Sequence, residues 1–340
     1  MKFMDLSPAY LESKETIDRA VMDVLAHGQY VFGPEVQALE QQLADYVGVK
    51  QAIAVASGTT ALEVALLALG VGPGDEVITS SFSFFATAEV IVRVGATPVW
   101  VDIDPQTYNI DPSLIEQAIT PKTKAIMPVS LYGQPADMQM INAIAARHQL
   151  PVIEDGAQSF GAMHHGQRSG GLSTIGCTSF FPSKPLGCFG DGGACFTNDE
   201  QLAEQIRCLI NHGQRQRYVH DEVGFNGRIS SIQAAVLLQK LAMFNTHMAM
   251  RQELAACYAN ALDTRWQPPV IAPCNTSVYA QYTVRVKDRQ GLQDALSQAG
   301  IPTAIHYPKG MHQQPALQGS FVGSASLPCT EQAASEVLSL

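Results

Sequence analysis

PVIEDGAQ, residues 151–158, is a short apolar run that ends in two acidic residues and a glycine. Apolar residues at successive positions are typical of a strand that is buried on both faces, as in a parallel sheet. Because ligands in open α/β sheets bind at the carboxyl ends of strands, this segment predicts a strand that brings Asp155 and Gln158 to a ligand site. Taken alone, the motif fits a solvated strand-end acid equally well.

Short apolar runs of this kind alternate with longer helical patterns from about residue 50 to 210. This alternation predicts an α/β domain with helices on both faces of a mostly parallel, seven-stranded sheet. Only a Gly- and Pro-rich loop separates the last two strands, which leaves room for a mixed sheet there. The predicted strands span 52–56, 76–80, 98–103, 125–130, 151–155, 177–181 and 193–197, and the helices between the first five span 60–69, 87–94, 112–119 and 138–148.

The flanking regions predict further helices and a second, smaller domain. We expect a large domain over residues 1–240 and a small α+β domain over residues 241–340. The elements outside the alternating region are helices at 14–26 and 34–47, a long helix after Ile229, a β-like stretch at 276–286, a helix at 291–300 and an extended segment at 301–310.

The composition excludes several classes of protein. The net charge is −10 and the basic residues are scattered, which argues against a nucleic-acid-binding protein. The chain has no apolar run of the roughly 18 residues that a membrane span needs and no signal-peptide layout at its N-terminus, so we expect a cytoplasmic protein. The seven cysteines form no C-x-x-C pair and are expected to be reduced core thiols. His164 and His165 lack a ligand at metal-site spacing, so no metal site is predicted.

The segment ASGTTAL, residues 56–62, stands where a predicted strand ends and a helix begins. Glycine lets the backbone approach an anion closely, and the N-terminus of a helix attracts negative charge. The turn at Gly58 and Thr59 therefore suits a phosphate group. An ordinary capped turn between strand and helix explains the same residues.

Lys184 lies between an aromatic stretch and a Gly-rich stretch in TSFFPSKPLGCFGDGG, residues 178–193. Lysine is rarely buried without a purpose. Desolvation lowers the pKa of an amine, and the neutral amine is the form that attacks a carbonyl to build an imine. Ser179 and Ser183 could bind a phosphate or orient the lysine. A lysine whose amine simply reaches solvent from a glycine loop is the alternative.

The phosphate turn, the strand-end acid and the lysine occur in the order found in pyridoxal phosphate (PLP) enzymes of fold type I. The chain resembles the DegT/DnrJ/EryC1/StrS family of sugar aminotransferases over nearly its whole length. The resemblance implies the aspartate aminotransferase-like fold and PLP as cofactor. The motifs that carry it are SGTTAL (57–62), SFSFFATA (81–88), VIEDGAQSFGA (152–162), SFFPSKPLGCFGDGGA (179–194) and GFNGRIS (224–230).

The resemblance also implies a role for individual residues. Lys184 matches the lysine that forms the imine with PLP, and Asp155 matches the partner of the pyridine nitrogen. Phe84 matches the aromatic residue that stacks on the cofactor ring, and Gln158 matches a residue near the ring hydroxyl.

Four more residues match the phosphate end of the cofactor. Gly58 and Thr59 correspond to the phosphate turn, and Ser179 to a further phosphate ligand. Asn226 corresponds to a residue that reaches the phosphate of the neighbouring subunit's cofactor. The resemblance therefore implies a homodimer with shared active sites.

The motif around Lys184, together with Arg228 and the pair His306-Tyr307, is similar to one branch of the family. That branch aminates UDP-2-acetamido-2-deoxy-3-oxo-glucuronic acid with L-glutamate as donor, for sugars of lipopolysaccharide and O-antigen. A guanidinium binds a carboxylate through two hydrogen bonds, so Arg228 suits the uronate. A salt bridge near a dimer interface is the other reading of Arg228, and His306 and Tyr307 could be packing residues.

Several alternatives stay open at this point. Another keto-sugar nucleotide, such as a dTDP- or UDP-linked keto-6-deoxyhexose, fits the same motifs, and so does a non-catalytic regulator or partner subunit with this fold. Family members with histidine in place of the lysine dehydrate sugars, and Lys184 argues against that activity. A nicotinamide-dependent enzyme would need G-x-G-x-x-G, which the turn at 57–62 does not supply. Family members usually continue beyond a helix like the last one here, so a truncated small domain and a complete one both stay open at this point.

Overall fold

The computed structural model describes residues 2–263, 265–324 and 326–340, and strands from its first 200 residues form the central sheet. The strands are β1 (Gln51–Val55), β2 (Glu76–Ser80), β3 (Thr97–Val101), β4 (Thr123–Met127), β5 (Ile153–Asp155), β6 (Met163–His164), β7 (Gln167–Arg168), β8 (Ile175–Ser179), β9 (Gly193–Thr197), β10 (Gln214–Gln216), β11 (Val219–His220), β12 (Thr283–Arg285) and β13 (Val337–Ser339).

The helices are distributed along the whole chain. The α-helices are α1 (Ser7–Glu12), α2 (Lys14–His27), α3 (Pro34–Val47), α4 (Gly58–Ala68), α5 (Ala86–Arg93), α6 (Met138–Arg147), α7 (Glu200–Leu209), α8 (Ser231–Ala261), α9 (Arg289–Gln298) and α10 (Pro328–Glu336). Short 3-10 helices span Pro112–Leu114, Glu116–Ala118, Met311–Gln313 and Pro315–Leu317.

The central sheet has the strand order β1-β9-β8-β5-β4-β2-β3. Two ladders, β1-β9-β8-β5 and β4-β2-β3, are joined by parallel bridges from Ile126 to Val152 and from Val129 to Asp155. β9 is antiparallel to both of its neighbours, and the other strands pair in parallel. The prediction of a mostly parallel, seven-stranded sheet with mixing at its last two strands is confirmed.

Both faces of this sheet are covered, as its apolar strands require. Ile53 and Val55 of β1 pack into one core with α4, α5 and α7. Ala52 and Ala54, which point to the opposite face, pack into a second core with α3 and α8. This is the α/β arrangement of fold type I, and it places the carboxyl ends of the parallel strands along one edge.

The predicted helix at 112–119 is wrong, because this segment forms two separate 3-10 turns. Asp111 Oδ1 caps the first turn by accepting the N–H of Ser113 at 2.9 Å. Ile119 is already extended, with ψ at 129°. Pro121 follows shortly and disfavours helical backbone at the residue before it, so the segment cannot lengthen into an α-helix.

The C-terminal part is less regular than predicted. Only Thr283–Arg285 of the β-like stretch 276–286 is a strand, and it pairs with β13. The earlier residues of the stretch bond to loops instead, as where Val278 donates its N–H to the Gly133 carbonyl at 2.8 Å. α8 runs through residue 240, and the division into domains at that position stays a prediction.

Two expectations from composition have different outcomes. All seven cysteines are free, but the expectation that they are core thiols is wrong for Cys257, which is exposed, and for Cys274 and Cys329, which are half-buried. Spacing alone did not distinguish these from the four buried thiols. Within the described ranges, no helix has the length and apolar character that crossing a bilayer requires.

Candidate active site

A cavity of about 460 Å³ opens at the carboxyl ends of the parallel strands and is called the cofactor cavity below. Its lining residues end, or closely follow, β1, β2, β4, β5 and β8, which is where ligands bind in open α/β sheets. Nine of the eleven residues predicted for the site line it, namely Gly58, Thr59, Phe84, Asp155, Gln158, Ser179, Lys184, His306 and Tyr307.

One end of the cavity is built to hold an anion. Ser57 caps α4, and its Oγ accepts the N–H of Thr60 at 3.0 Å. A Cβ added to Gly58 would lie 2.6 Å from Cβ of Ser179, so only glycine lets the turn approach β8 this closely. The helix N-terminus and the hydroxyls of Thr59 and Ser179 together suit a phosphate group.

Lys184 lies on the loop that follows β8 and lines the same cavity as this turn. Its own N–H donates to the Phe181 carbonyl at 2.8 Å, which closes a tight turn that places the side chain along the cavity wall. Burial lowers the pKa of the Lys184 amine, and the nearby Asp155 opposes this effect. A lowered pKa increases the fraction of neutral amine, which is the nucleophilic form.

Asp155 is buried, with 5 % of its surface exposed, and its carboxylate is only partly engaged. Oδ2 accepts the hydroxyl of Thr87 at 2.7 Å, and Oδ1 accepts the N–H of Ala157 at 3.2 Å. Burial raises the pKa of Asp155, while these two hydrogen bonds and Lys184 lower it. A carboxylate offers about four lone-pair sites, so capacity remains to accept a hydrogen bond from a pyridinium nitrogen.

Gln158 and two aromatic residues form the rest of the ring-binding part. Gln158 accepts the N–H of Tyr132 at 2.9 Å and donates to the Tyr307 hydroxyl at 3.1 Å. The rings of Phe84 and Tyr307 are 6.2 Å apart, and Phe84 is exposed to the cavity. Burial raises the pKa of Tyr307, so it stays a neutral hydroxyl.

His306 lies beside Tyr307 on the same wall. Its Nδ1 is 2.9 Å from the Ser339 hydroxyl, and its carbonyl accepts a hydrogen bond from Tyr132. Burial, together with the charge of Lys184, lowers the pKa of the His306 imidazole. The segment 306–307 is therefore held by Tyr132, in the loop that follows β4, and by the C-terminal strand β13.

The cavity residues fit PLP. An anion-binding turn, a half-buried amine, an aromatic face and a buried carboxylate with spare hydrogen-bonding capacity surround one space, and each corresponds to a different part of that cofactor.

Asn226 and Arg228 do not line the cavity formed by their own chain. Arg228 Nη1 donates to Oδ1 of Asn211 at 2.6 Å, and its guanidinium carbon lies 5.7 Å from the centre of the Phe32 ring. Its Nε is buried without a hydrogen-bond partner in the described part of the chain. Asn226 is exposed nearby, where it bridges to Asn211.

Sequence reasoning missed some residues of the cavity. Thr87, whose hydroxyl donates to Asp155, was predicted only as the first residue of a helix. Its position in the first helical turn after the aromatic loop 81–85 could have indicated that it lies in the site. Gln281 comes from the C-terminal part, and its Oε1 is buried with no partner in the described residues. No local pattern marks Gln281, because the fold alone brings it to the cavity, whereas Asp191 lies in the quoted motif around Lys184 but was assigned no role.

The structure corrects the expectation that His164 and His165 have no third metal-ligand type nearby. Cys274 lies beside His164 and His165, with possible ligand atoms within 4.8 Å of one another. Both ring nitrogens of His164 are nevertheless engaged: Nδ1 is 2.7 Å from Oδ1 of Asn275, and Nε2 accepts the N–H of Gln139 at 3.1 Å.

Comparison with known proteins agrees with this site. The profile of the DegT/DnrJ/EryC1/StrS aminotransferase family matches residues 11–340. The UDP-2-acetamido-2-deoxy-3-oxo-D-glucuronate aminotransferase of Pseudomonas aeruginosa strain PAO1 is 54 % identical over 341 residues, which cover 100 % of this chain and 94 % of that protein.

Solved structures give the same result. DesV of S. venezuelae superposes with a TM-score of 0.97 at 43 % identity, covering 100 % of this chain and 92 % of that one. NtdA of Bacillus subtilis, solved with bound cofactor PMP, has a TM-score of 0.92 at 34 % identity, covering 100 % and 80 %. With the family profile matched over almost the whole chain and a cavity that fits the cofactor, this protein is a PLP-dependent aminotransferase and belongs to the DegT/DnrJ/EryC1/StrS family.

Proposed function

We propose that this enzyme transfers an amino group from L-glutamate to the 3-keto group of UDP-2-acetamido-2-deoxy-3-oxo-D-glucuronate. The observation that carries the proposal is the 54 % identity, over the full chain, to the P. aeruginosa enzyme that is named for this substrate. A place in the cytoplasm and a contribution to lipopolysaccharide or O-antigen sugars stay predictions from the sequence.

Lys184 and Asp155 carry the chemistry in this proposal. PLP, when bound, supplies a carbonyl that captures the amino group and a ring that delocalises the electron pair left at a deprotonated carbon. Lys184 Nζ, which faces the cavity, would hold the cofactor through its carbonyl and would carry a proton to and from Cα of the amino donor. Asp155 would accept a hydrogen bond from the ring nitrogen and so would favour its protonated form.

Arg228, His306 and Tyr307 recognise the sugar in this proposal. His306 and Tyr307 line the cavity beside Lys184. The Arg228 guanidinium suits the uronate carboxylate, and its unpartnered Nε is one hydrogen-bond donor that a ligand could satisfy. Because Arg228 lies outside the cavity of its own chain, we assign it to the cavity of a partner subunit.

A homodimer with shared sites is part of the same proposal. Asn226 and Arg228 adjoin an exposed apolar stretch at residues 30–32, in which Val31 and Phe32 are each 55 % exposed. Val31 bridges to Ser230, so this stretch and the segment that carries Arg228 form one surface. A second copy of the chain would bury that surface and complete the phosphate end with Asn226.

The substrate is tested by measuring glutamate-dependent amination across a panel of keto-sugar nucleotides. The panel contains the 3-keto uronate, its uncharged 6-hydroxyl counterpart and dTDP- and UDP-linked keto-6-deoxyhexoses. We expect the highest kcat/KM with the uronate. Amination of only the uncharged 6-deoxy sugars would overturn the proposal.

The role of Arg228 is tested by Arg228→Gln on the same panel. A charge-assisted hydrogen bond contributes about 1.5–3 kcal/mol, so kcat/KM with the uronate should fall about 10- to 100-fold. With the uncharged counterpart it should change little. An equal loss on both substrates would assign Arg228 a structural role instead.

Shared sites are tested by mixing Lys184→Ala subunits with Asn226→Ala subunits. Each hybrid dimer would contain one site with both native residues, so random mixing should restore about a quarter of the wild-type activity. If Asn226 served its own chain, mixing would restore nothing above the residual activity of Asn226→Ala. Sedimentation of the wild-type enzyme checks that the dimer forms.

A further inference from the structure

His312 joins two parts of the chain that are 231 positions apart. Its Nδ1 lies 2.6 Å from the hydroxyl of Ser81, and the backbone N–H of His312 donates to the same hydroxyl at 3.1 Å. The N–H of Met311 also donates to the Ser81 carbonyl at 2.7 Å. Three hydrogen bonds thus connect the turn at 310–312 to the end of β2.

The imidazole is held from its other side as well. Nε2 is 3.3 Å from Oε1 of Glu331 on α10. A carboxylate only accepts hydrogen bonds, so Nε2 carries a proton, and the Ser81 hydroxyl, which already accepts the His312 backbone N–H, is free to donate its own proton to Nδ1. Gly310 leaves space for the ring, since a Cβ at that position would lie 2.6 Å from Cε1 of His312.

Both ends of this connection lead directly to the cofactor cavity. Phe84 follows Ser81 by three residues, and Tyr307 precedes His312 by five. The rings of Phe84 and Tyr307 are 6.2 Å apart on the cavity wall. Ser83, between Ser81 and Phe84, is hydrogen-bonded to Thr87 at 2.9 Å, and Thr87 donates to Asp155.

Ser81, His312 and Glu331 have the residue types of a hydrolytic triad, but their environment excludes that activity. Ser81 is fully buried and His312 is 6 % exposed, so a substrate cannot reach the hydroxyl. The hydroxyl is also occupied as the acceptor of the His312 N–H. A nucleophile needs access to the reacting carbon, and this arrangement fits a fixed structural connection.

We propose that the hydrogen bond between Ser81 and His312 sets the separation of the two aromatic walls, Phe84 and Tyr307, and so fixes the pose of the cofactor ring. His312 is a positioning residue, because it acts through the segments that carry these aromatic side chains. The inference rests on the predicted stacking of Phe84 on the cofactor ring and on the place of Tyr307 beside Gln158 in the same cavity. It does not depend on which sugar is aminated.

The test compares His312→Gln with His312→Asn in the holoenzyme. The Asn oxygen lies near the position of Nδ1 and can still accept from Ser81, whereas the longer Gln reaches toward Glu331 and leaves the Ser81 hydroxyl without an acceptor. We expect His312→Gln to bind PLP about tenfold more weakly and to lose much of the visible circular dichroism of the bound cofactor. His312→Asn should recover most of both signals.

Ser81→Ala and Glu331→Gln complete the design. Ser81→Ala removes the same hydrogen bond from the other side, together with the acceptor of the His312 backbone N–H, so the double variant Ser81→Ala/His312→Gln should be no worse than Ser81→Ala alone. Glu331→Gln keeps an oxygen for the N–H of Leu327 and should leave the dichroism unchanged. Wild-type cofactor affinity and dichroism in both His312→Gln and Ser81→Ala would overturn the proposal, and so would additive losses in the double variant.

These readouts do not require a sugar substrate. A negative result on the uronate panel would therefore leave the positioning proposal intact. Conversely, wild-type dichroism and cofactor affinity in both His312→Gln and Ser81→Ala would refute the positioning proposal without affecting the assignment of the substrate.

Discussion

Glu154 and Asp155 are consecutive buried acids on β5, but their surroundings differ. Because side chains alternate along a strand, the two carboxylates point to opposite sides. Glu154 accepts hydrogen bonds from Ser169 at 2.6 Å, Ser130 at 3.0 Å and the Gly170 N–H at 2.8 Å. We call these four residues the Glu154 cluster. Asp155 faces the cofactor cavity and accepts two hydrogen bonds.

The difference shows that burial of a charged group does not by itself indicate a functional site. Burial raises the pKa of both carboxyls. In the Glu154 cluster, three donors from the protein satisfy the carboxylate and connect β5 to its neighbours, which is a structural role. In the cofactor cavity, hydrogen-bonding capacity is left for a ligand. We infer that unused capacity beside a cavity, and not burial, distinguishes the catalytic acid.

The largest effect is expected for Lys184→Ala, and Lys240 provides the matched comparison. Burial lowers the pKa of both lysines. The amine of Lys240 donates to the Gly187 carbonyl, whereas that of Lys184 faces the cavity. Lys184→Ala should reduce kcat by at least about 10³-fold and abolish the visible absorbance of lysine-bound cofactor. Lys240→Met should keep that absorbance and mainly lower Tm.

Absorbance spectra, steady-state kinetics and thermal unfolding of both variants make this measurement. Persistence of the visible band in Lys184→Ala would show that another residue binds the cofactor carbonyl. Loss of the band in Lys240→Met at unchanged Tm would show that a lysine already hydrogen-bonded within the protein is also needed for cofactor binding. The distinction between lysines with a protein partner and lysines that face the cavity would then fail.

The next largest effect separates the two acids directly. Asp155→Asn should lower kcat about 10²- to 10³-fold with little change in the free energy of unfolding, because an amide cannot stabilise a protonated ring nitrogen as a carboxylate does. Glu154→Gln should lower the free energy of unfolding and leave kcat nearly unchanged. Its amide nitrogen would face donors in the Glu154 cluster, at a cost of about 1–3 kcal/mol in the free energy of unfolding.

Steady-state kinetics and denaturant unfolding of Asp155→Asn and Glu154→Gln test whether one variant loses activity and the other loses stability. If Glu154→Gln lost activity in proportion to Asp155→Asn without losing stability, Glu154 would belong to the catalytic machinery.

The sequence predicted the strand, the lysine and Asp155, but the choice of Asp155 over Glu154 rested on the family motif and not on the apolar pattern. Both occupy the end of an apolar run, and only the direction of each side chain relative to the helices decides which one meets the cavity. Lys184 and the turn at Gly58 were predictable because local chemistry and family motifs mark them. Gln281 was not predictable, because a contact between the C-terminal part and the sheet depends on tertiary packing.

The helix predictions likewise agree with the structure where local residues determine the helix ends. α3 agrees with its predicted span because Pro34 at its start and Gly48 beyond its end are local signals. The segment 112–119 has a similar start at Pro112 but no room to continue before Pro121. Arg228 is another example, because its placement outside its own cavity depends on the packing of residues 30–32 and not on the motif GFNGRIS.

A smaller effect is expected in the pH dependence of stability. The folded-state pKa of Glu154 is raised above its ordinary value of 4.5, so the folded state binds this proton more tightly than the unfolded state. Its contribution to stability is therefore present below pH 4.5 and is lost as the pH rises through the raised pKa.

Denaturant unfolding of wild-type and Glu154→Gln proteins at increasing pH, starting from about pH 4, measures the contribution. The free energy of unfolding of the wild type, relative to the variant, should decrease as the pH rises. A difference that increased with pH would show that the three donors of the Glu154 cluster outweigh desolvation and hold the carboxylate charged.

The smallest effect is expected for Thr87→Val, which keeps the shape of the side chain but removes the hydroxyl that donates to Asp155 Oδ2 at 2.7 Å. This hydrogen bond lowers the pKa of Asp155 against the effect of burial. Without it the pKa rises, so a higher pH is needed to keep the carboxylate charged. The acidic limb of the kcat/KM profile should move to higher pH, while activity on the alkaline side falls only a few-fold.

Ser130→Ala, which removes one donor from the Glu154 cluster, is the matched control and should leave the limb in place. Equal profiles for Thr87→Val and wild type would mean that Asp155 is held charged by its remaining partners, Ala157 and Lys184, and that spare capacity in the cavity is larger than the geometry indicates.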